Sequence, residues 1–119
     1  MDDVARALSI VGHKWTLLII EDLLRGPRRF TEIERALGEV NPKMVTTRLR
    51  ELVAADLVSR TYHAEVPPRV VYALTERGRQ LRPVVEALRR WGAHDAARAP
   101  QRRSSGPRRA PDRRSTRRG

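Results

Sequence analysis

The stretch VNPKMVTTRLRELVAADLVSRTYHAEVPPRVVYALTERG, residues 40–78, changes its hydrophobic period midway, and that change decides the fold. Its first half is helical. Asn41 is a good N-cap, and Pro42 falls at the first helical position, where its missing N–H costs nothing. With Val45 at zero degrees, Leu49, Leu52 and Val53 fall on one arc from about −20° to 80°, a face that a core would cover. Lys43, Thr47, Arg50 and Glu51 lie opposite, with Thr46 at the edge and Arg48 close to the core side. This helix is expected to run to about Ala55. After Asp56 the residues become rich in Val, Thr and Tyr, so strands are predicted over 57–63 and 70–74, joined by residues 64–69 as a hairpin. Pro67 and Pro68 should stiffen the hairpin tip into extended geometry, flanked by His63 and Arg69.

Upstream, helical signals follow one another closely. Asp2 or Asp3 can cap a short helix that carries Val4, Leu8 and Val11 on one face and closes at Gly12. Residues 14–24 follow, with Trp15, Leu17, Leu18, Ile19, Ile20, Leu23 and Leu24 covering roughly 260° of the helix, so it should be buried on two sides. Asp22 falls inside this apolar arc, and a buried carboxylate needs a partner, for which an Arg is the expected choice. Gly26-Pro27 stops the helix. Thr31 with Glu34 has capping-box spacing and predicts a helix over 32–37 that buries Phe30, Ile33 and Leu37; Gly38-Glu39-Val40 then makes the turn. Downstream, Thr75 can cap a last helix with the stripe Leu81, Val84, Val85, Leu88 and Trp91, which Pro83 either kinks or truly begins.

Helix, helix, turn, helix, hairpin, helix is the order of a winged helix-turn-helix, mainly α with a small β-hairpin. The charge agrees with a polyanionic partner. The chain has 119 residues, a formal net charge of +11 and no Cys. Residues 98–119 hold nine Arg against Asp112, with Ala99 and Ala110 as the only apolar side chains. Such a segment cannot offset its ordering entropy by burial, so a disordered basic tail is expected after a domain over residues 1–97. Its arginines come as pairs broken by Pro, Ser and Gly, which gives no amphipathic face for a membrane.

The residue types on the outer face of the 42–55 helix suit a DNA groove. Arg50 can pair with guanine O6 and N7, Thr46 and Thr47 can meet a thymine methyl, and Lys43 can neutralise phosphate. Arg48 is placed to reach a phosphate or an internal carboxylate. Arg28 and Arg29, just ahead of the helix-turn-helix, and Arg69 on the wing either hold phosphates or are simply solvated. Enzyme chemistry finds no footing: His13, His63 and His94 lack metal-site spacing, and Glu21 and Asp22 point about 100° apart on a helix. The seven Gly are scattered, so no phosphate loop forms. The histidines are expected at the surface, and Trp15 and Trp91 in the core. No cofactor is expected. The absence of Cys removes disulfides and thiol switches, and the apolar run at residues 15–20 is too short for a bilayer. A cytoplasmic, nucleoid-associated location follows.

Two blocks carry a family resemblance. VGHKWTLLIIEDLLRGPRRFTEIERAL, residues 11–37, followed by residues 40–78, resembles the HxlR-type winged-helix transcriptional regulators of bacteria, over roughly residues 4–91. The resemblance implies a dimeric transcription factor that sets one helix in the major groove and the wing near the backbone or minor groove. Many members resemble thiol sensors with a Cys near the first helix; this sequence has none, which leaves any small-molecule effector open. The expected partners are thus double-stranded DNA and a second copy of the chain, joined through Leu81, Val85, Leu88 and Trp91. An architectural, non-specific DNA binder is the alternative.

Overall fold

A computed structural model describes residues 2–98 of the chain. The elements are α1 (Asp3–Val11), α2 (Lys14–Leu23), α3 (Phe30–Leu37), α4 (Pro42–Ala54), β1 (Val58–His63), β2 (Arg69–Leu74), α5 (Glu76–Arg79) and α6 (Arg82–Arg98). This is a mainly helical winged helix-turn-helix with an antiparallel hairpin, as the hydrophobic pattern implied. Apart from Arg98, the expected basic tail lies outside the described residues. Among the described residues, those up to Glu86 form one compact unit, and residues 87–98 belong to a second.

Local chemistry explains most element ends. The Asp2 carboxylate caps α1 by accepting from Ala5 N at 2.7 Å, and Asn41 caps α4 by accepting from Lys43 N at 2.8 Å. At α2 the cap is His13, whose Nδ1 accepts from Trp15 N at 3.1 Å. That role was not anticipated for a histidine expected only at the surface. Helix α3 also corrects the sequence reading. It begins at Phe30, and the reach-back is made by Glu32, which accepts from Arg29 N at 2.8 Å, not by a Thr31–Glu34 box. The earlier start has a clear cause: Ile33 is fully buried and Phe30 half-buried, so the helix must already be turning at Phe30 to bring both inward. Pro83 sits in the first turn of α6 and marks its beginning, leaving α5 as a separate short helix capped by Thr75.

The core of the first unit is built from Val11, Ile19, Ile20, Leu23, Ile33, Val45, Leu49, Leu52, Leu57, Val58, Leu74 and Val85. Helix α2 is its centre, touching α3, α4 and β2. Several side chains depart from the expected pattern. Thr16 is buried although polar, and Val53 is 37% exposed although it falls on the apolar arc of α4. Val53 sits at the last turn of α4 and stays partly open to solvent. Trp91, expected in the core, is 68% exposed; Trp15 is half-buried with the Lys14 Nζ 4.7 Å from its ring centre.

The hairpin pairs Val58 with Leu74, Arg60 with Tyr72, and His63 with Arg69. The tip bends at Val66 and Pro67 rather than running straight, and the Val66–Pro67 peptide bond is cis. An addition absent from the sequence reading is a third edge. Arg28 N donates to Tyr72 O at 2.9 Å and Tyr72 N donates to Arg28 O at 2.8 Å, so the segment before α3 pairs with the wing.

Candidate nucleic-acid interface

Three side chains set the rotation of α4. Val45, Leu49 and Leu52 retain 0–1% exposure, so the helix has a single seating on the core. Lys43, Thr47 and Arg50 follow at spacings of four and three and are all exposed on the opposite side. Thr47 Oγ1 donates to Lys43 O at 3.0 Å, which ties the hydroxyl back to the preceding turn of the helix. Thr46 is half-buried at the edge of this face. The expected grouping of Lys43, Thr46, Thr47 and Arg50 on one surface therefore holds as geometry. The positive end of α4, with its Asn41 cap, adds a partial positive charge at the same end as Lys43.

Arg48 takes the second of its two expected placements, beside a carboxylate. Its Nη1 lies 2.9 Å from Glu51 Oε1, and its Nε is buried without a hydrogen bond. The guanidinium is thus held along the helix, not aimed outward. Arg28 is also engaged. Its Nε lies 3.4 Å from Asp22 Oδ2, which supplies the partner that a carboxylate in an apolar arc requires. Asp22 is 7% exposed and its Oδ2 makes no hydrogen bond, so the Arg28 charge is its main compensation. Arg29 remains exposed.

On the wing, Arg69 Nη2 meets Glu65 Oε2 at 2.6 Å. The hydrogen bond from Arg69 holds the Glu65 carboxyl below the usual carboxylate range, helped by the charges of Arg69, His63 and Arg29, while Glu65 raises Arg69. The wing tip thus carries its cation in a neutralised pair. Sequence reasoning missed Glu65, because a spacing of four pairs side chains on a helix and gives no such signal across a hairpin tip.

A groove missed entirely lies between α4 and the wing. It has a volume of about 340 Å³ and is lined by Thr46, Leu49, Arg50, Val53, Arg60 and Tyr72. The spacing 46, 49, 50, 53 was readable as one helix face, but its pairing with Arg60 and Tyr72 depended on the strand register.

The expected subunit face is altered. Val85 is 5% exposed and Leu81 packs against the same core, so neither has much surface left for a second subunit. Leu88 and Trp91 are 51% and 68% exposed, as are Val4 and Leu8 of α1 at 68% and 56%. Among the described residues, no group of three or more His, Asp or Glu is arranged to hold a metal, and no helix is long and apolar enough to cross a membrane.

Comparison with known proteins identifies a family. A family model described as HxlR-like helix-turn-helix matches residues 10–100. The chain is 42% identical over 86 residues to an HTH-type transcriptional regulator of Methanothermobacter thermautotrophicus, covering 72% of this chain and 66% of that protein. With YkvN, an HTH-type transcriptional regulator of Bacillus subtilis, it shares 40% identity over 88 residues, 74% of this chain and 75% of the relative. Among solved structures, the redox regulator HypR in its reduced form superposes with a TM-score of 0.78 at 34% identity, covering 85% of this chain and 100% of that one. A transcriptional regulator of the MarR family from Porphyromonas gingivalis W83 gives 0.75 at 33% identity, over 80% of this chain and 96% of the other. The fold, the outward-facing basic helix and a family match that spans most of the sequence agree: the chain belongs to the HxlR-like helix-turn-helix family of DNA-binding transcriptional regulators.

Proposed function

We propose that this regulator acts as a homodimer on a pseudo-palindromic operator, in the cytoplasm and on the nucleoid, and that it controls transcription sterically by occupying DNA near a promoter. The observation that carries the reading is the fixed rotation of α4. Its buried side leaves Lys43, Thr47 and Arg50 as the outward set. Arg50 reads a guanine edge, Thr46 and Thr47 meet methyl groups, and Lys43 and Arg29 hold phosphates. Arg69 contributes a phosphate contact when DNA displaces Glu65. Arg28 and Arg48 serve mainly to brace the frame, with DNA contact secondary. Two copies of α4 related by a two-fold axis enter successive major grooves about 34 to 36 Å apart, which makes the half-sites inverted repeats. Leu88 and Trp91 supply the subunit contact, since large apolar side chains left in water mark interfaces.

The test is competition gel shift with a fragment recovered by genome-wide footprinting. A specific regulator holds its operator against excess random duplex at physiological salt, and an architectural protein does not. Loss of the shift under random competitor rejects the operator reading, and no shift with any duplex rejects DNA binding by this domain.

A further inference from the structure

Among the described residues, Asp22 is the only charged side chain buried in the core, and none of the proposed DNA contacts uses it. It lies in the last turn of α2, the helix at the centre of that core, and reaches the following loop twice. Its backbone carbonyl accepts from Arg25 N at 3.1 Å, and its Oδ2 lies 3.4 Å from Arg28 Nε. Between those two contacts the loop passes through Gly26, whose φ of 142° suits a residue without a Cβ.

Arg28 carries the contact onward. Its N–H donates to Tyr72 O and its carbonyl accepts from Tyr72 N, so one residue joins the α2 carboxylate to strand β2. Val58 and Leu74 seat the base of the hairpin in the core, whereas residues 59–62 of β1 are exposed. A buried carboxylate costs stability that an apolar side chain of similar volume would not, so packing alone gives no reason for an acid at this place. Register gives one. Two backbone hydrogen bonds do not specify which residue of the loop faces Tyr72, but a slip by one residue turns the Arg28 side chain to the opposite face, away from Asp22.

We propose that Asp22 is a positioning residue for the wing: by holding the Arg28 side chain it fixes the register in which Arg28 pairs with Tyr72, and with it the orientation of the hairpin beside α4. Asp22 itself touches no DNA. The anchoring stands on the geometry of the free chain; only its effect on DNA rests on the operator reading.

Asp22→Asn in the full chain keeps the shape of the side chain and removes its charge. Amide hydrogen exchange followed by NMR without DNA is the direct readout. The Arg28 and Tyr72 amides should exchange at least tenfold faster than in the parent, while those of Val45 and Ala55, hydrogen-bonded within α4 and at its end, change less than threefold. Equal acceleration of all four amides is what a merely structural acid would give and overturns the proposal, as does unchanged exchange at Arg28 and Tyr72. Asp22→Asn combined with Arg28→Gln leaves no charge unpaired and should match Asp22→Asn alone, because both remove the same interaction. A further tenfold acceleration in the double variant, or a double variant that circular dichroism shows to be unfolded, overturns the proposal. Fluorescence anisotropy with the footprinted fragment gives the second arm. Asp22→Asn should lower operator affinity at least tenfold, and Arg28→Gln should do the same with little change in the log–log salt slope, whereas loss of a direct phosphate contact flattens that slope by about 0.9. Undiminished affinity, or a slope flattened by that full amount in Arg28→Gln, overturns the effect on DNA. A parent chain that binds no duplex rejects the operator reading, and the exchange result then decides the role of Asp22 by itself.

Discussion

The same substitution at two glycines should move stability in opposite directions. In Gly78→Ala, the new Cβ meets the Leu57 carbonyl oxygen inside contact distance, with Leu57 C at 3.1 Å and Leu74 Cδ2 at 3.0 Å. The Leu74 methyl can swing aside, but the Leu57 carbonyl cannot. It accepts from Thr75 N at 3.0 Å, while Thr75 Oγ1 donates to Asp56 O at 2.7 Å, so α5 is laced to the turn before β1. An added methyl in a site that cannot repack costs about 3 kcal/mol, the upper part of the usual overpacking range. Against it stands the helical preference of Ala over Gly, about 1 kcal/mol. The net expectation is a loss of about 2 kcal/mol, or about 8 to 16 °C in Tm for a domain of this size. At Gly92 of α6, the added Cβ meets nothing within 4 Å, so only the helical preference acts. Gly92→Ala should gain about 0.5 to 1 kcal/mol. Urea unfolding followed by circular dichroism at one fixed protein concentration measures both. If Gly78→Ala proved as stable as the parent or more so, the close seating of α5 on Leu57 would be wrong; a loss of stability in Gly92→Ala would overturn the open space at that position.

Other expectations concern DNA and assembly. Arg50→Ala should cost about 1 to 3 kcal/mol of operator binding and relax preference at one position, while Lys43→Ala weakens all sequences alike; fluorescence anisotropy over a set of operator variants separates the two. The Glu65 carboxyl is lowered in the folded chain, so its pair with Arg69 is present above the ordinary carboxylate range and is lost only as pH falls through the lowered value. Between pH 5 and 8 the pair should therefore persist, and Glu65→Gln should free Arg69 and steepen the log–log salt slope of binding by about 0.9. Leu88→Glu with Trp91→Glu should yield monomers in sedimentation while helicity is retained; a persisting dimer would move the interface to the exposed Val4 and Leu8 of α1. Removing residues 99–119, which carry eight of the chain's arginines, should flatten the salt slope by roughly 3 to 4 units if four of them engage phosphate, and leave the ranking of operator variants unchanged.

Element order and the outward face of α4 were legible in the sequence because both follow from short-range rules. Asn41-Pro42 sets the start of α4, and the repeat of Val45, Leu49 and Leu52 sets its rotation. Most of what escaped depends on contacts that no local spacing names. Arg28 was readable as a free cation because nothing local reveals that Asp22 lies beside it or that its backbone pairs with Tyr72. Val85 and Leu81 belonged to an unbroken apolar stripe with Leu88 and Trp91, yet the core absorbs the first two and leaves the others exposed. The start of α3 was misplaced because two overlapping Thr/Glu and Arg/Glu spacings compete there, and burial of Ile33 and Phe30 decides between them. The groove needed the strand register, which pairs Arg60 with Tyr72 and which no periodicity in α4 encodes.

The doubled hydrogen bond between Arg28 and Tyr72 has a mechanical meaning. A wing tied to the domain only through the residues at its own base would swing like a flap on one hinge. Fastening its returning strand to the segment just ahead of α3 supplies a second attachment, and two attachments leave little play. The span from the outer face of α4 to the wing tip then works as a fixed gauge. On the proposed operator-binding reading, a DNA site whose grooves are too wide or too narrow for that gauge would be refused by its shape, even where every base edge offers the right chemistry.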